Sequence, residues 1–223
     1  MRLCIIIPTF NEEANITNLL KELKLNDCDI LVIDDGSEDL TAMLAKNEGA
    51  FVISHANKEG KGKSIRDGFD FALKNNYDAV ITMDGDGQHS PDDIFKFINC
   101  ARNFESDIIV GNRMINPKGM PIIRYATNKI MSKIISAFCH QDIPDSQCGF
   151  RFITCRVLKD VFLDCSQFEI ESEVLIKASK NAYKILSLPV QTIYQTKKSN
   201  INPLWDTMRF FKFIFRQLWN LKS

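Results

Sequence analysis

The chain has 223 residues, 45% of them hydrophobic, which is enough for one large domain with a substantial core and too little for two independent ones. Its 28 Lys and Arg balance 28 Asp and Glu, so no global charge argues for nucleic acid as a partner. No apolar run approaches the ~20 residues a bilayer span needs, and the run at residues 3–7, closed by Pro8, is too short for a signal peptide.

Over the first half, short Val/Ile-rich runs alternate with segments of helical period, the pattern of an α/β fold with a parallel sheet covered by helices. Strands are expected at residues 3–8, 29–34, 50–54, 79–84 and 107–110. Between them, Ile16, Leu19, Leu20 and Leu23 share one helical face, as do Ile65, Phe69, Ala72 and Leu73, and then Ile94, Phe97, Ile98 and Ala101. These stripes read as core contacts. After Gly111 a helix is expected over 121–138, an irregular patch over 145–152, a helix over 171–180, and strand-like pieces at 184–188 and 192–194. A helix over 203–221 closes the chain. In the 121–138 helix, Ile123, Ile130, Ile134 and Phe138 form a stripe that reads as packed on the core, with Arg124, Lys129 and Lys133 in water. The closing helix mixes Trp205, Phe210, Phe211, Phe213, Phe215 and Trp219 with Arg209, Lys212 and Arg216, a composition suited to a lipid interface. Residues 1–202 are therefore read as the main domain and 203–223 as a basic, aromatic, amphipathic helix.

The seven cysteines are odd in number and form no CxxC pair, as expected of a reduced, cytoplasmic chain, and with three histidines no structural zinc site is expected.

Acids mark the chemistry. Asp34-Asp35-Gly36-Ser37 and Asp84-Gly85-Asp86-Gly87-Gln88 each follow an apolar strand, at the edge where open parallel sheets bind ligands. Asp84 and Asp86, on a turn that Gly85 lets fold tightly, can converge on one hard cation, Mg²⁺ or Mn²⁺. Such an ion would hold a nucleotide diphosphate and neutralise it as it departs. The stretch Asn57-Lys58-Glu59-Gly60-Lys61-Gly62-Lys63-Ser64 fails as a P-loop, since Asn57 stands where Gly is required. It remains a basic, glycine-rich loop ahead of a helix, able to meet an anion through backbone N–H groups, Lys61, Lys63 or Arg66.

In order along the chain, Pro8-Thr9-Phe10-Asn11-Glu12-Glu13, Val32-Ile33-Asp34-Asp35-Gly36-Ser37, Gly60-Lys61-Gly62-Lys63, Met83 to Pro91, Gly111-Asn112-Arg113, Asp145 to Arg151 and Phe168-Glu169-Ile170-Glu171 resemble the family 2 glycosyltransferases. Within them the chain is similar to the polyprenyl-phosphate (dolichol-phosphate) mannose and glucose synthases. The resemblance implies a GT-A fold, Rossmann-like, with a mostly parallel sheet. It also implies that Pro8, Phe10, Glu12, Asp34 and Asp35 line a nucleoside pocket, that Asp84, Asp86 and Gln88 ligate the metal, and that Arg113 faces a phosphate, with Arg124 a second phosphate candidate. Phe10 stands where Tyr is frequent, and residues 194–200 lack the Arg and Gly common there, leaving Lys197 and Lys198 as phosphate contacts. The expected reaction is inverting transfer of a hexose from a GDP- or UDP-linked sugar to a polyprenyl phosphate, in cell envelope biogenesis, by a protein peripheral to the inner face of the membrane. An acceptor phosphate needs no strong base. Were the acceptor a sugar hydroxyl of a cell-surface glycan, Asp145 or Glu171 would have to serve as one. A non-catalytic nucleotide-sugar-binding subunit would bind donor without turnover.

Overall fold

The computed structural model describes residues 1–24, 28–104, 106–117, 119–193 and 203–219. Its centre is a seven-stranded sheet in the order β3-β2-β1-β4-β6-β5-β7. The strands are β1 (Leu3–Thr9), β2 (Asp29–Asp34), β3 (Phe51–Ser54), β4 (Ala79–Thr82), β5 (Ile108–Asn112), β6 (Arg151–Thr154) and β7 (Ile185–Pro189). Residues 3–7 are buried and β1 pairs with β2 and β4 in parallel, which is why its sequence is continuously apolar instead of alternating. Thr9 lies opposite Asp34 in the register, so the two strands deliver their following loops to one edge.

Helices cover the sheet: α1 (Glu13–Leu23), α2 (Thr41–Asn47), α3 (Lys61–Lys74), α4 (Ile94–Phe104), α5 (Ile122–Cys139), α6 (Cys155–Asp160), α7 (Ile170–Lys180) and α8 (Pro203–Trp219). The α1 stripe Ile16, Leu19, Leu20 and Leu23 is wholly buried, with Glu13 in its first turn and Lys21 in its last, as the helix dipole favours. Among the described residues, no helix is long and apolar enough to cross a membrane. None of the seven cysteines is in a disulfide.

Four expectations are corrected. The fourth strand stops at Thr82 rather than at residue 84, because the chain turns there to place its acids; the Met83 N–H still donates to the Ile6 carbonyl at 3.0 Å. The patch read as irregular ends in β6, an antiparallel strand between β4 and β5 that sets Arg151 opposite both Thr82 and Val110. Of the 192–194 strand the described residues make only an isolated bridge of Thr192 to His89, with the Ile193 N–H donating to the Gln88 carbonyl at 2.9 Å, and Tyr194, Lys197 and Lys198 lie outside the described residues. In α5 the buried face is Asn128, Met131, Ser132, Ile135 and Cys139, while Ile123 is 75% exposed. The reason is polar: Ser132 Oγ accepts the Ser146 N–H at 2.9 Å and lies 3.2 Å from Ser146 Oγ, so α5 turns its hydroxyl face inward to hold the loop before β6.

The closing helix has two apolar faces. Phe210, Phe213 and Ile214 are buried against the body, whereas Met208, Phe211 and Phe215 are exposed. The spacing of three and four residues puts the latter on one outer stripe, and Arg216 pins the helix to Asp164 at 2.6 Å.

Candidate active site

The edge formed by the carboxyl ends of β1, β2, β4 and β5 gathers nearly every residue singled out in the sequence. At the β1 and β2 ends, Asn11 and Ser37 tie the two loops together: Ser37 Oγ accepts the Asn11 N–H at 2.9 Å and Asn11 Oδ1 accepts the Glu38 N–H at 2.9 Å. Thr41 Oγ1 accepts the Glu12 N–H at 2.8 Å, and Glu12 accepts from Asn15 Nδ2 at 2.7 Å. Phe10 is covered by the Lys58 ammonium, 3.6 Å from the ring centre. Pro8, Phe10, Glu12 and both acids therefore come together, but Asp34 and Asp35 differ in use. Asp35 Oδ1 accepts the Glu59 N–H and lies 2.8 Å from His55 Nδ1, while Oδ2 accepts the Gly60 N–H. Its lone pairs hold the 57–60 loop. Asp34 Oδ1 is buried without a hydrogen-bond partner among the described residues, so its acceptor capacity is not spent on the protein.

The basic loop behaves differently from its sequence reading. The N–H groups of Gly62 and Lys63 both donate to the Ser166 carbonyl, at 3.0 and 3.2 Å, so the first turn of α3 is capped by the protein itself. Lys63, expected beside the donor, pairs with Asp67 four residues on, and Arg66 donates to the Leu163 carbonyl. Lys61 is the lysine that reaches the acids: its Nζ lies 2.6 Å from Asp84 Oδ1 and 2.7 Å from Glu171 Oε1.

At the β4 exit, Gly85 is dictated by space, since a Cβ there would sit 2.7 Å from Thr9 Cγ2. Asp86 Oδ1 accepts the Gln88 N–H at 3.0 Å. Burial lifts the Asp84 carboxyl, but the Lys61 charge and the His89 contact outweigh it and hold the group well below the ordinary carboxylate range. Asp86 goes the other way: burial, then the neighbouring charge of Asp84, push it up. Two neighbouring carboxylates, with a glutamine in the same turn, offer oxygen donors of the kind a hard divalent cation takes. A separate group of possible ligands, Asp164, Cys165 and Glu173, is already satisfied, because Asp164 pairs with Arg216 and Glu173 with Lys177.

His89 was not singled out by the sequence. It is buried, its Nε2 lies 3.5 Å from Asp84 Oδ2, and its ring packs on Phe150 at 5.1 Å between centres. Gly149 was also missed: a Cβ there would be 3.0 Å from both Asp84 oxygens and from Glu171 Oε1. Only its place in the Asp145 to Arg151 motif could have pointed to it.

On the far side, Arg113 and Asp145 meet each other. Arg113 donates from its backbone N, Nε and Nη2 to the Asp145 carboxylate at 3.0, 2.8 and 2.9 Å. Burial opposes both charges, yet the bonds from Arg113 hold the Asp145 carboxyl below its ordinary value. Arg151, fully enclosed, donates to the carbonyls of Cys148, Ser146 and Glu171, fastening the 146–151 segment to the start of α7. Arg124 sits half-buried in the first turn of α5, and no hydrogen bond or ion pair joins it to the acids.

Paired acids thus line the carboxyl edge of a mostly parallel sheet, where α/β enzymes bind their ligands, and comparison with known proteins gives the class its name. A sequence model described as "Glycosyl transferase family 2" matches residues 4–162. Over 213 residues the chain is 33% identical to the UDP-N-acetylglucosamine–dolichyl-phosphate N-acetylglucosaminyltransferase of Methanococcus voltae, covering 85% of each. Over 203 residues it is 26% identical to the polyprenol monophosphomannose synthase of Mycolicibacterium smegmatis, covering 85% of this chain and 76% of that one. Among solved structures, glucosyl-3-phosphoglycerate synthase from Mycobacterium tuberculosis, in complex with Mn²⁺, uridine diphosphate and phosphoglyceric acid, superposes with a TM-score of 0.71 at 16% identity, covering 88% of this chain and 72% of that one. The chain belongs to glycosyl transferase family 2: it is a glycosyltransferase of GT-A fold.

Proposed function

We propose that this glycosyltransferase moves a hexose from a UDP- or GDP-linked sugar to a polyprenyl phosphate, with inversion at the anomeric carbon and with Mg²⁺ or Mn²⁺ held by Asp84, Asp86 and Gln88. The relatives' names support the acceptor class, and the oxygen donor set at the β4 exit, together with the Mn²⁺ complex of the structural neighbour, supports the metal. When bound, the ion supplies charge neutralisation for the departing diphosphate. The unmet acceptor of Asp34, beside Pro8, Phe10 and Glu12, is the fitting partner for the nucleoside.

One observation favours a phosphate over a sugar hydroxyl as acceptor. Hydroxyl attack requires a proton acceptor, and both candidates are engaged: Asp145 takes three N–H bonds from Arg113, and Glu171 takes the Lys61 ammonium. A phosphate monoester arrives with an anionic oxygen. Its attack forms the new C–O bond as the bond to the diphosphate breaks, and the electron pair leaves with the diphosphate without any proton transfer. Arg113, expected to face a phosphate, is instead spent on Asp145, and the pair fixes the wall of the site on that side.

The lipid character of such an acceptor agrees with the outer stripe of α8, where Met208, Phe211 and Phe215 are exposed beside Arg209 and Lys212. The same reading extends to Ile122, Ile123 and Ile130 on α5. Peripheral contact of these stripes with a membrane is part of the proposal.

The deciding experiment incubates the protein with a panel of UDP- and GDP-sugars, Mn²⁺ and a short polyprenyl phosphate, and follows release of nucleoside diphosphate. Release that depends on the polyprenyl phosphate, yields an acid-labile glycosyl phosphate and vanishes in Asp86→Ala supports the proposal. Release dependent only on a sugar acceptor, or wild-type turnover by Asp86→Ala, overturns the acceptor or the metal assignment respectively.

A further inference from the structure

We infer that Lys61 is a resident counter-cation of the metal site: it competes with the divalent ion for Asp84 and makes tight metal binding conditional on the arrival of the donor's diphosphate. The inference rests on the metal reading of Asp84 and Asp86. An all-acid cluster at a half-buried edge is unstable without positive charge, and here the charge is a side chain of the same chain. The Lys61 ammonium bridges Asp84 Oδ1 at 2.6 Å and Glu171 Oε1 at 2.7 Å, with the side chain largely buried.

The bridge is built and fixed from two sides. Asp35 holds the backbone of Glu59 and Gly60 just before Lys61, and the Ser166 carbonyl holds the N–H groups of Gly62 and Lys63 just after it. Gly149 leaves room for both carboxylates to stand beside the ammonium. Lys61 therefore cannot drift away with a loop, and an ion that binds Asp84 must share that carboxylate with a fixed positive charge. Like charges at such range repel strongly in a partly buried site. A diphosphate changes the balance by bringing negative charge that serves both cations at once. Metal and nucleotide diphosphate should then bind with positive coupling, each raising the other's affinity by the same factor, and Lys61 should be the origin of much of it.

The test titrates Mn²⁺ against the protein, reading free Mn²⁺ by electron paramagnetic resonance, with and without UDP and GDP, for the wild type, Lys61→Met and Lys61→Arg. Lys61→Met should bind Mn²⁺ alone about tenfold more tightly or better than the wild type, and the enhancement by nucleotide should shrink. Lys61→Arg, keeping the charge, should behave as the wild type. A merely structural lysine predicts the reverse, weaker Mn²⁺ binding in Lys61→Met. That result, or an unchanged affinity with the circular dichroism of the native fold, overturns the inference. If Lys61→Met does not fold, Glu171→Gln serves instead: it gives the ammonium wholly to Asp84 and should weaken Mn²⁺ binding, and equal or tighter binding overturns the inference. Failure of the metal reading is separately visible, as Mn²⁺ that binds Asp86→Ala like the wild type.

Discussion

Removing the Asp145 carboxylate should destabilise the protein far more than a surface salt bridge would suggest. Asp145 is 1% exposed and Arg113 5%, and three N–H groups of Arg113 end on that one carboxylate. Asp145→Ala leaves the guanidinium buried and unpaired, a change that costs about 3–5 kcal/mol. For a chain of this size each kcal/mol is worth roughly 2–4 °C, so the melting temperature should fall by roughly 6–20 °C, measured by circular dichroism. Taking out both partners together, as Arg113→Leu with Asp145→Leu, should recover much of the loss, because no unpaired charge remains. The sign with pH is fixed as well. A carboxyl held below its ordinary value contributes stability above the unfolded pKa of about 3.9 and loses it as pH falls through the folded value. The gap between wild type and Asp145→Ala should therefore close in acid. A fall of less than about 2 °C at neutral pH would show that the pair is not the buried anchor described, and would return Asp145 to consideration as a proton acceptor.

Three further outcomes follow from α8 and from His55. Phe211→Ser with Phe215→Ser should reduce binding to anionic vesicles about tenfold while leaving the melting temperature nearly unchanged, since Phe215 is 70% exposed; Phe213→Ala, on the inner face, should instead cost about 3 kcal/mol, and vesicle binding indifferent to the outer pair would remove α8 from the membrane. His55 stands between Asp35 and Asp67, with Lys63 bound to Asp67 behind it. Burial works against its imidazolium, but the bonds to Asp35 and Asp67 outweigh that and raise its pKa. Its contribution is fully present below the unfolded value of about 6.5 and is lost as pH rises through the folded one, so the stability advantage of wild type over His55→Gln should shrink as pH rises above about 6.5, and parallel pH profiles would refute the bridge.

The sheet's first half was legible because β1, β2 and β4 are buried on both faces and leave continuous apolar runs. The acids stood out because they end those runs. What the sequence hid depends on direction in space. Asp34 and Asp35 are adjacent and chemically alike, but one is spent on the 57–60 loop and the other keeps an unmet acceptor. Lys61 and Lys63 look equivalent in a basic loop, and only the turn of α3 sends one to Asp84 and the other to Asp67. The strand at Arg151–Thr154 escaped notice because it is four residues long and opens on an arginine, a residue that is seldom buried; the three carbonyls that make its burial tolerable come from elsewhere in the chain. In α5 the inward face carries Asn128 and Ser132, so hydrophobicity alone found only half of it: Ile134 and Phe138 pack on the core, while Ile123 and Ile130 are exposed.

The reversed strand β6 has a consequence for how so short a chain assembles a two-substrate site. Joining parallel neighbours takes a crossover of a dozen or more residues, which returns the chain to the opposite rim before it can come back. By running against β4 and β5, β6 begins where they end, so the segment that enters it, Asp145 to Phe150, is laid on the same rim as Asp84 without a detour. Reshaping that segment would change what faces the acids while the crossovers beneath stay as they are, so acceptor side and donor side are joined by backbone pairing and not by a long connection.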